Sequence, residues 1–148
     1  MTLISELNSA LKQAMLAKDD SSRNTLRLLL SAIKLAEVEK GSQLDDAAIY
    51  ALIQKEIKMR KESIEGAQRA ERKDLIDQAV IEISILEAFL PKGLSTQELN
   101  ELVKAAIAES GATGPSDTGK VMKVLMPKIQ GRAPGEVVSQ AVRALLQS

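Results

Sequence analysis

The sequence predicts an all-α fold on three observations. Apolar residues recur three and four positions apart through most of the 148 residues, the spacing that lines one face of a helix. Aromatic residues make up 1% of the chain, only Tyr50 and Phe89, so the core is aliphatic. Such a core suits helices better than a sandwich, where aromatic and β-branched residues usually dominate. No stretch shows strand-like alternation of any length, and there is no internal repeat or low-complexity tract.

Seven helices are expected. Ile4, Leu7, Leu11 and Ala14 give the first stripe. Leu26, Leu29, Leu30 and Ile33 give the second, ending at Gly41, a natural residue just past a helix. Asp45 is placed to cap the third, whose apolar face is Ile49, Leu52, Ile53 and Ile57 and which is expected to run to about Gly66. Leu75, Ala79, Leu86 and Leu90 form a fourth stripe, stopped by Pro91 because proline cannot donate the helical hydrogen bond.

Pro91-Lys92-Gly93 is the best domain boundary, dividing the chain into residues 1–91, with about four helices, and 92–148, with three. Ser95-Thr96-Gln97-Glu98 follows as a capping box. It opens a fifth helix carrying Leu99, Leu102, Val103, Ala106 and Ile107, closed by Gly111. After a loop of small residues, a sixth helix starts near Ser116 or Asp117 and buries Val121, Met122, Leu125 and Ile129. Pro127 should kink or end it. Gly131-Arg132-Ala133-Pro134 is a turn, and Pro134 suits the first position of a seventh helix with Val137, Val138, Ala141 and Leu145 on its buried side.

The chain has no cysteine and no histidine. Disulfides and thiolate metal sites are thereby excluded, and the commonest general base and metal ligand are missing. No metal and no cofactor is expected. No apolar run approaches the roughly 18 residues of a membrane span, and residues 1–6 do not resemble a secretory signal, so no membrane association and a cytoplasmic location are expected. Formal charge is zero overall but uneven: net −2 over residues 1–91, net +2 over 92–148 and net +3 within 112–148. Zero total charge argues against a bulk nucleic-acid condenser while leaving room for a local basic patch.

Several motifs invite a chemical reading. Gly114-Pro115-Ser116-Asp117-Thr118-Gly119-Lys120 fits most of a phosphate-binding loop, but Val121 stands where Ser or Thr would hold Mg²⁺, and no buried strand precedes it. The plainer reading is a loop and helix start, with Gly119 permitting close packing and Lys120 beside a helix N-terminus. Ser31-Ala32-Ile33-Lys34 matches the nucleophile spacing of some serine hydrolases, but their companion motifs are absent. The helix around 55–65 offers i,i+4 pairs Glu56–Arg60, Lys58–Glu62 and Lys61–Glu65, the pattern of a solvated, self-paired face. Arg23, Arg27 and Lys34 form a basic stripe with few acidic neighbours in sequence. The larger set is Lys120, Lys123, Lys128, Arg132 and Arg143, opposed locally by Asp117 and Glu136, with Gly131 at a turn where a sugar-phosphate backbone could approach. With no aromatic platforms there, a reader that stacks unpaired bases is not expected.

These same residues carry a resemblance. Ser31-Ala32-Ile33-Lys34 with 37–41, Lys58 to Ser63, Arg72 with Asp74-Leu75, and Leu86 to Pro91 match in the first part. Gly119-Lys120-Val121-Met122, Met126-Pro127-Lys128 and Gly131-Arg132-Ala133 with Val137-Val138 match in the second. In that order and spacing the chain resembles the GatB/YqeY family of YqeY-like proteins over essentially its whole length. Where the family often has Asp before the last helix, this chain has Pro134. The resemblance implies two helical parts, the second like the tail domain of GatB, a subunit of the glutamine-dependent amidotransferase acting on mischarged tRNA. The implied role is a non-catalytic tRNA-binding or tRNA-related accessory protein, partnered by tRNA or by a protein of the tRNA-charging machinery. Its contacts would come from Lys120, Lys123, Lys128, Arg132 and Arg143, extended by Arg23 and Arg27, with Gly119, Met122 and Gly131 as structural residues. Two alternatives stand beside it: a carbon–nitrogen ligase role with glutamine as amide donor, and a helical protein–protein module.

Overall fold

The computed structural model describes residues 2–147. Its helices are α1 (Leu3–Leu16), α2 (Asp20–Lys40), α3 (Asp46–Arg69), α4 (Lys73–Glu87), α5 (Thr96–Ser110), α6 (Thr118–Ile129) and α7 (Gly135–Gln147), with a 3-10 turn at Pro115–Asp117. Among the described residues there is no strand, so the fold is all-α.

Side chains set most of the helix starts. Thr2, Asp19, Asp45 and Ser95 each accept the backbone N–H three residues on, supplying a partner for one of the amides a helix N-terminus leaves unpaired. Ser95 does so from Glu98 at 3.1 Å, while the Glu98 carboxylate turns to another partner, described below. The ends are less visible in sequence. Gly111 closes α5 in the left-handed region, where a Cβ would be strained. Lys18 and Glu71 take the same conformation after α1 and α3 without being glycine, both with φ 55°. There the N–H of Asp19 reaches the Ala14 carbonyl and that of Arg72 the Ala67 carbonyl, each at 2.9 Å. The third helix therefore runs past Gly66 to Arg69.

The chain divides into two compact units, Met1–Leu90 and Pro91–Ser148. In the first, α1 to α4 surround a core of Leu3, Leu7, Leu26, Leu29, Ile33, Ile49, Ile53, Ile57 and Leu86. In the second, α5 to α7 enclose Leu99, Val103, Ala106, Val121, Leu125, Ile129, Ala133, Val138 and Val142.

Three local expectations need correction. Leu75 is half exposed, and α4 ends at Glu87 in a tightened turn whose N–H groups reach three residues back, so Pro91 follows the end rather than making it. Of the kink or end expected at Pro127, the end does not occur: α6 continues to Ile129, with Pro127 exposed and, having no N–H, unable to donate the usual helical bond to the Lys123 carbonyl. Val137 is exposed and Val142 is buried in its place, because α7 begins at Gly135 with the Pro134 carbonyl accepting from Val138.

Candidate nucleic-acid interface

The five cations predicted in the second unit separate into two groups. Lys128, on the last turn of α6, is ion-paired with Glu109 of α5. Arg132 is more heavily engaged. Its Nε donates to the Lys92 carbonyl at 2.9 Å, and its Nη2 lies 3.3 Å from Glu98 Oε2. Its backbone carbonyl accepts from Leu94 at 2.9 Å, and its own N–H donates to the Ile129 carbonyl. Arg132 therefore fastens the segment 92–94 to the turn between α6 and α7. Gly131 stands beside it with φ 76°, following Gln130 at φ 51°, so this glycine serves the turn itself.

Lys120, Lys123 and Arg143 form the second group. All three are exposed, and none has a carboxylate within ion-pair distance among the described residues. Lys120 and Lys123 lie one turn apart on α6. The net +3 counted along residues 112–148 is therefore reduced by Glu98 and Glu109, two acids that precede that window and reach it across the packed helices.

The phosphate-loop match folds into something else. Asp117 accepts from the Thr113 N–H at 2.9 Å and from the Thr113 hydroxyl at 3.3 Å, and its own N–H donates to the Gly114 carbonyl. The backbone hydrogen bond from Thr113, helped by its hydroxyl and by nearby Lys120, holds the Asp117 carboxyl below its usual pKa against a smaller opposing effect of desolvation. The loop thus places a carboxylate where a phosphate cradle would need free N–H groups. Gly119 is already helical, and a Cβ there would meet nothing within 4 Å, so it is not required for close packing. Met122 is half-buried against the second core.

The first-unit cations behave differently again. Arg23 pairs with Asp20 at 3.2 Å, so the stripe is less free than its sequence neighbours suggested. Arg27 is exposed and places Nη2 3.9 Å from the Met15 sulfur. Of the three pairs expected on α3, Glu56–Arg60 forms at 2.8 Å, and Arg60 also reaches Glu82 of α4 at 2.9 Å. Glu82 accepts from Gln78, which in turn donates to Ser21 of α2. With its side chain 11% exposed, Arg60 is a tie between helices, not a member of a solvated face. Periodicity alone could not reveal this, since Glu82 is 22 residues away.

A groove of about 560 Å³ lies in the first unit between the ends of α1 and α4 and the start of α2, lined mainly by Ala10, Ala14, Leu26, Ile85 and Phe89 with Gln13, Asp19 and Ser22. The carboxylate of Asp19 is committed to capping α2; hydrogen bonds from the Ser22 hydroxyl and N–H hold its pKa below the usual value. Among the described residues, no helix is long and apolar enough to cross a membrane, and no group of three Asp or Glu side chains is placed to hold a metal ion.

Sequence comparisons set these features in a family. The chain is 32% identical over 148 residues to a protein of Pyrenophora tritici-repentis named Altered inheritance of mitochondria protein 41, mitochondrial, covering 97% of this chain and 81% of the relative. The proteins of the same name in Kluyveromyces lactis and Lachancea thermotolerans are 34% and 36% identical; the alignments cover 98% and 76% of this chain and 80% and 62% of theirs. The names of these relatives place them in mitochondria, which overturns the expectation of a cytoplasmic location. Reading residues 1–6 for a secretory signal says nothing about organelles reached by other signals. The family model described as Yqey-like protein matches residues 4–146. Reaching into each of the seven helices among the described residues, that match establishes that the chain belongs to the YqeY-like family.

Proposed function

We propose that the protein is a non-catalytic accessory of tRNA metabolism that contacts structured RNA through Lys120, Lys123 and Arg143. The observation that carries this reading is the division among the cations: Lys128 and Arg132 are held by Glu109 and Glu98, while these three are exposed with no carboxylate within ion-pair distance among the described residues. The expectation, carried by the sequence motifs alone, that residues 92–148 are like the GatB tail points the same way. Lysine and arginine on a helical surface recognise a phosphate backbone by charge and spacing, independent of base identity. Such contacts release counterions, so affinity falls steeply with salt.

Filter binding of total tRNA to the full chain tests this. The logarithm of affinity is expected to fall with the logarithm of salt with a slope of about −2, from two to three phosphate contacts. Lys120→Ala with Lys123→Ala should flatten that slope by between about 1 and 2. Arg132→Ala should instead lower stability while leaving the slope nearly intact. Absence of binding at low salt, or an unchanged slope in the double variant, would refute the proposal.

A ligase reading with glutamine as amide donor has weaker support. Its support is the family resemblance alone, since Ser31 and Lys34 lack the companion motifs of the serine hydrolases whose spacing they match. Release of glutamate by the pure protein given glutamine, ATP and mischarged tRNA would favour it.

A further inference from the structure

Helix α2 carries two apolar stripes, and its own unit uses one. Leu26, Leu29 and Ile33 are buried in the first core, with Leu30 packed against it. On the opposite side Leu28, Leu35 and Val38 are 59%, 61% and 73% exposed. Isolated exposed leucines are ordinary. These three recur at intervals of seven and three residues, the spacing of a coiled-coil seam. With Leu28 and Leu35 at a, Ser31 and Val38 fall at d, Arg27 and Lys34 at g, and Ala32 and Glu39 at e. The core residues Leu26, Leu29, Leu30 and Ile33 then occupy f, b and c, facing away from the seam.

From this register we infer that the outer face of α2 pairs with the α2 of a second copy, in parallel. The flanking charges select both the occupant and its direction. In a parallel pair each g residue faces the e residue of the partner's following heptad. Lys34 then faces the partner's Glu39, twice by symmetry, and Arg27 faces the partner's Ala32. An antiparallel pair would bring g against g, setting Lys34 and Arg27 against each other, and like charges so placed repel. The chain thus contains its own complement at the seam, and a two-fold axis alongside α2 closes the assembly at two copies. Ser31 at a d position weakens the seam, so the dimer forms reversibly with concentration.

Sedimentation equilibrium of the full chain, with cysteine crosslinking, tests the pairing. The wild type should show a monomer–dimer equilibrium. Lys34→Glu should raise the dissociation constant about tenfold by turning two attractions into two repulsions, and Lys34→Glu with Glu39→Lys should return it to within about twofold of wild type. The chain has no native cysteine, so Ser31→Cys reports on the seam alone. In a parallel pair this residue meets its symmetry mate and should give a disulfide-linked dimer on mild oxidation, while Ser9→Cys, exposed on α1, should not. All these positions are exposed, and circular dichroism of each variant checks that the fold is kept. A purely monomeric wild type, equal crosslinking of the two cysteine variants, or no recovery in the charge swap would overturn the inference. Dimerisation that survives both Leu28→Ser and Leu35→Ser would place the interface elsewhere and overturn it equally.

Discussion

Among the described residues, Thr25 is the buried polar residue of the first unit, 2% exposed, and its hydroxyl has no hydrogen-bond partner. A hydroxyl taken from water without a partner destabilises the folded state. Thr25→Val keeps the shape and removes the unpaired group. It is expected to raise stability by about 1 kcal/mol, measured as a higher urea midpoint at unchanged m-value. Arg132 shows the opposite case. From sequence it was one of five similar cations; in the structure its guanidinium satisfies a backbone carbonyl and pairs with Glu98. Residue type and local charge gave no basis for separating it from Lys120, because both of its partners lie more than 30 residues away in the chain.

At the scale of the element, α3 and α4 are joined by apolar contact and by Arg60. Arg60→Ala leaves Glu56 and Glu82 half-buried without their cation and is expected to cost about 2 kcal/mol, read from chemical denaturation. Arg60→Lys should recover little of this, since an ammonium cannot span two carboxylates with the guanidinium's fork. Helix α6 carries the reverse feature. Pro127 interrupts its hydrogen-bond ladder on the exposed side. Pro127→Ala should restore the bond to the Lys123 carbonyl and stabilise the helix by about 1 to 2 kcal/mol, part of the gain being offset by a more flexible unfolded chain. A higher thermal midpoint would confirm it. Helix starts were legible in sequence because a cap is a local interaction: Asp45 and Ser95 each act within three residues. Several ends were not, because Lys18 and Glu71 occupy the left-handed position that glycine usually marks.

For the molecule as a whole, each unit has its own aliphatic core. The second spans Pro91–Ser148, a size at which a single core gives only marginal stability. A fragment of residues 91–148 is expected to unfold cooperatively with a stability of no more than about 3 to 5 kcal/mol. Helical content and urea unfolding of the fragment would check this, and an unfolded fragment would show that its core needs the rest of the chain.

The sequence by itself determined the helical class, most of the apolar faces and the absence of histidine and cysteine chemistry. Each follows from composition or from interactions spanning one or two helical turns. It did not determine which cations are available, nor that Asp117 would close the phosphate-like loop onto Thr113. Those outcomes depend on where Glu98, Glu109 and Glu82 arrive when helices pack, and on which backbone groups a loop leaves free. Only the tertiary structure decided them, because an ion pair is set by distance in space, and helices far apart in sequence supply its two halves.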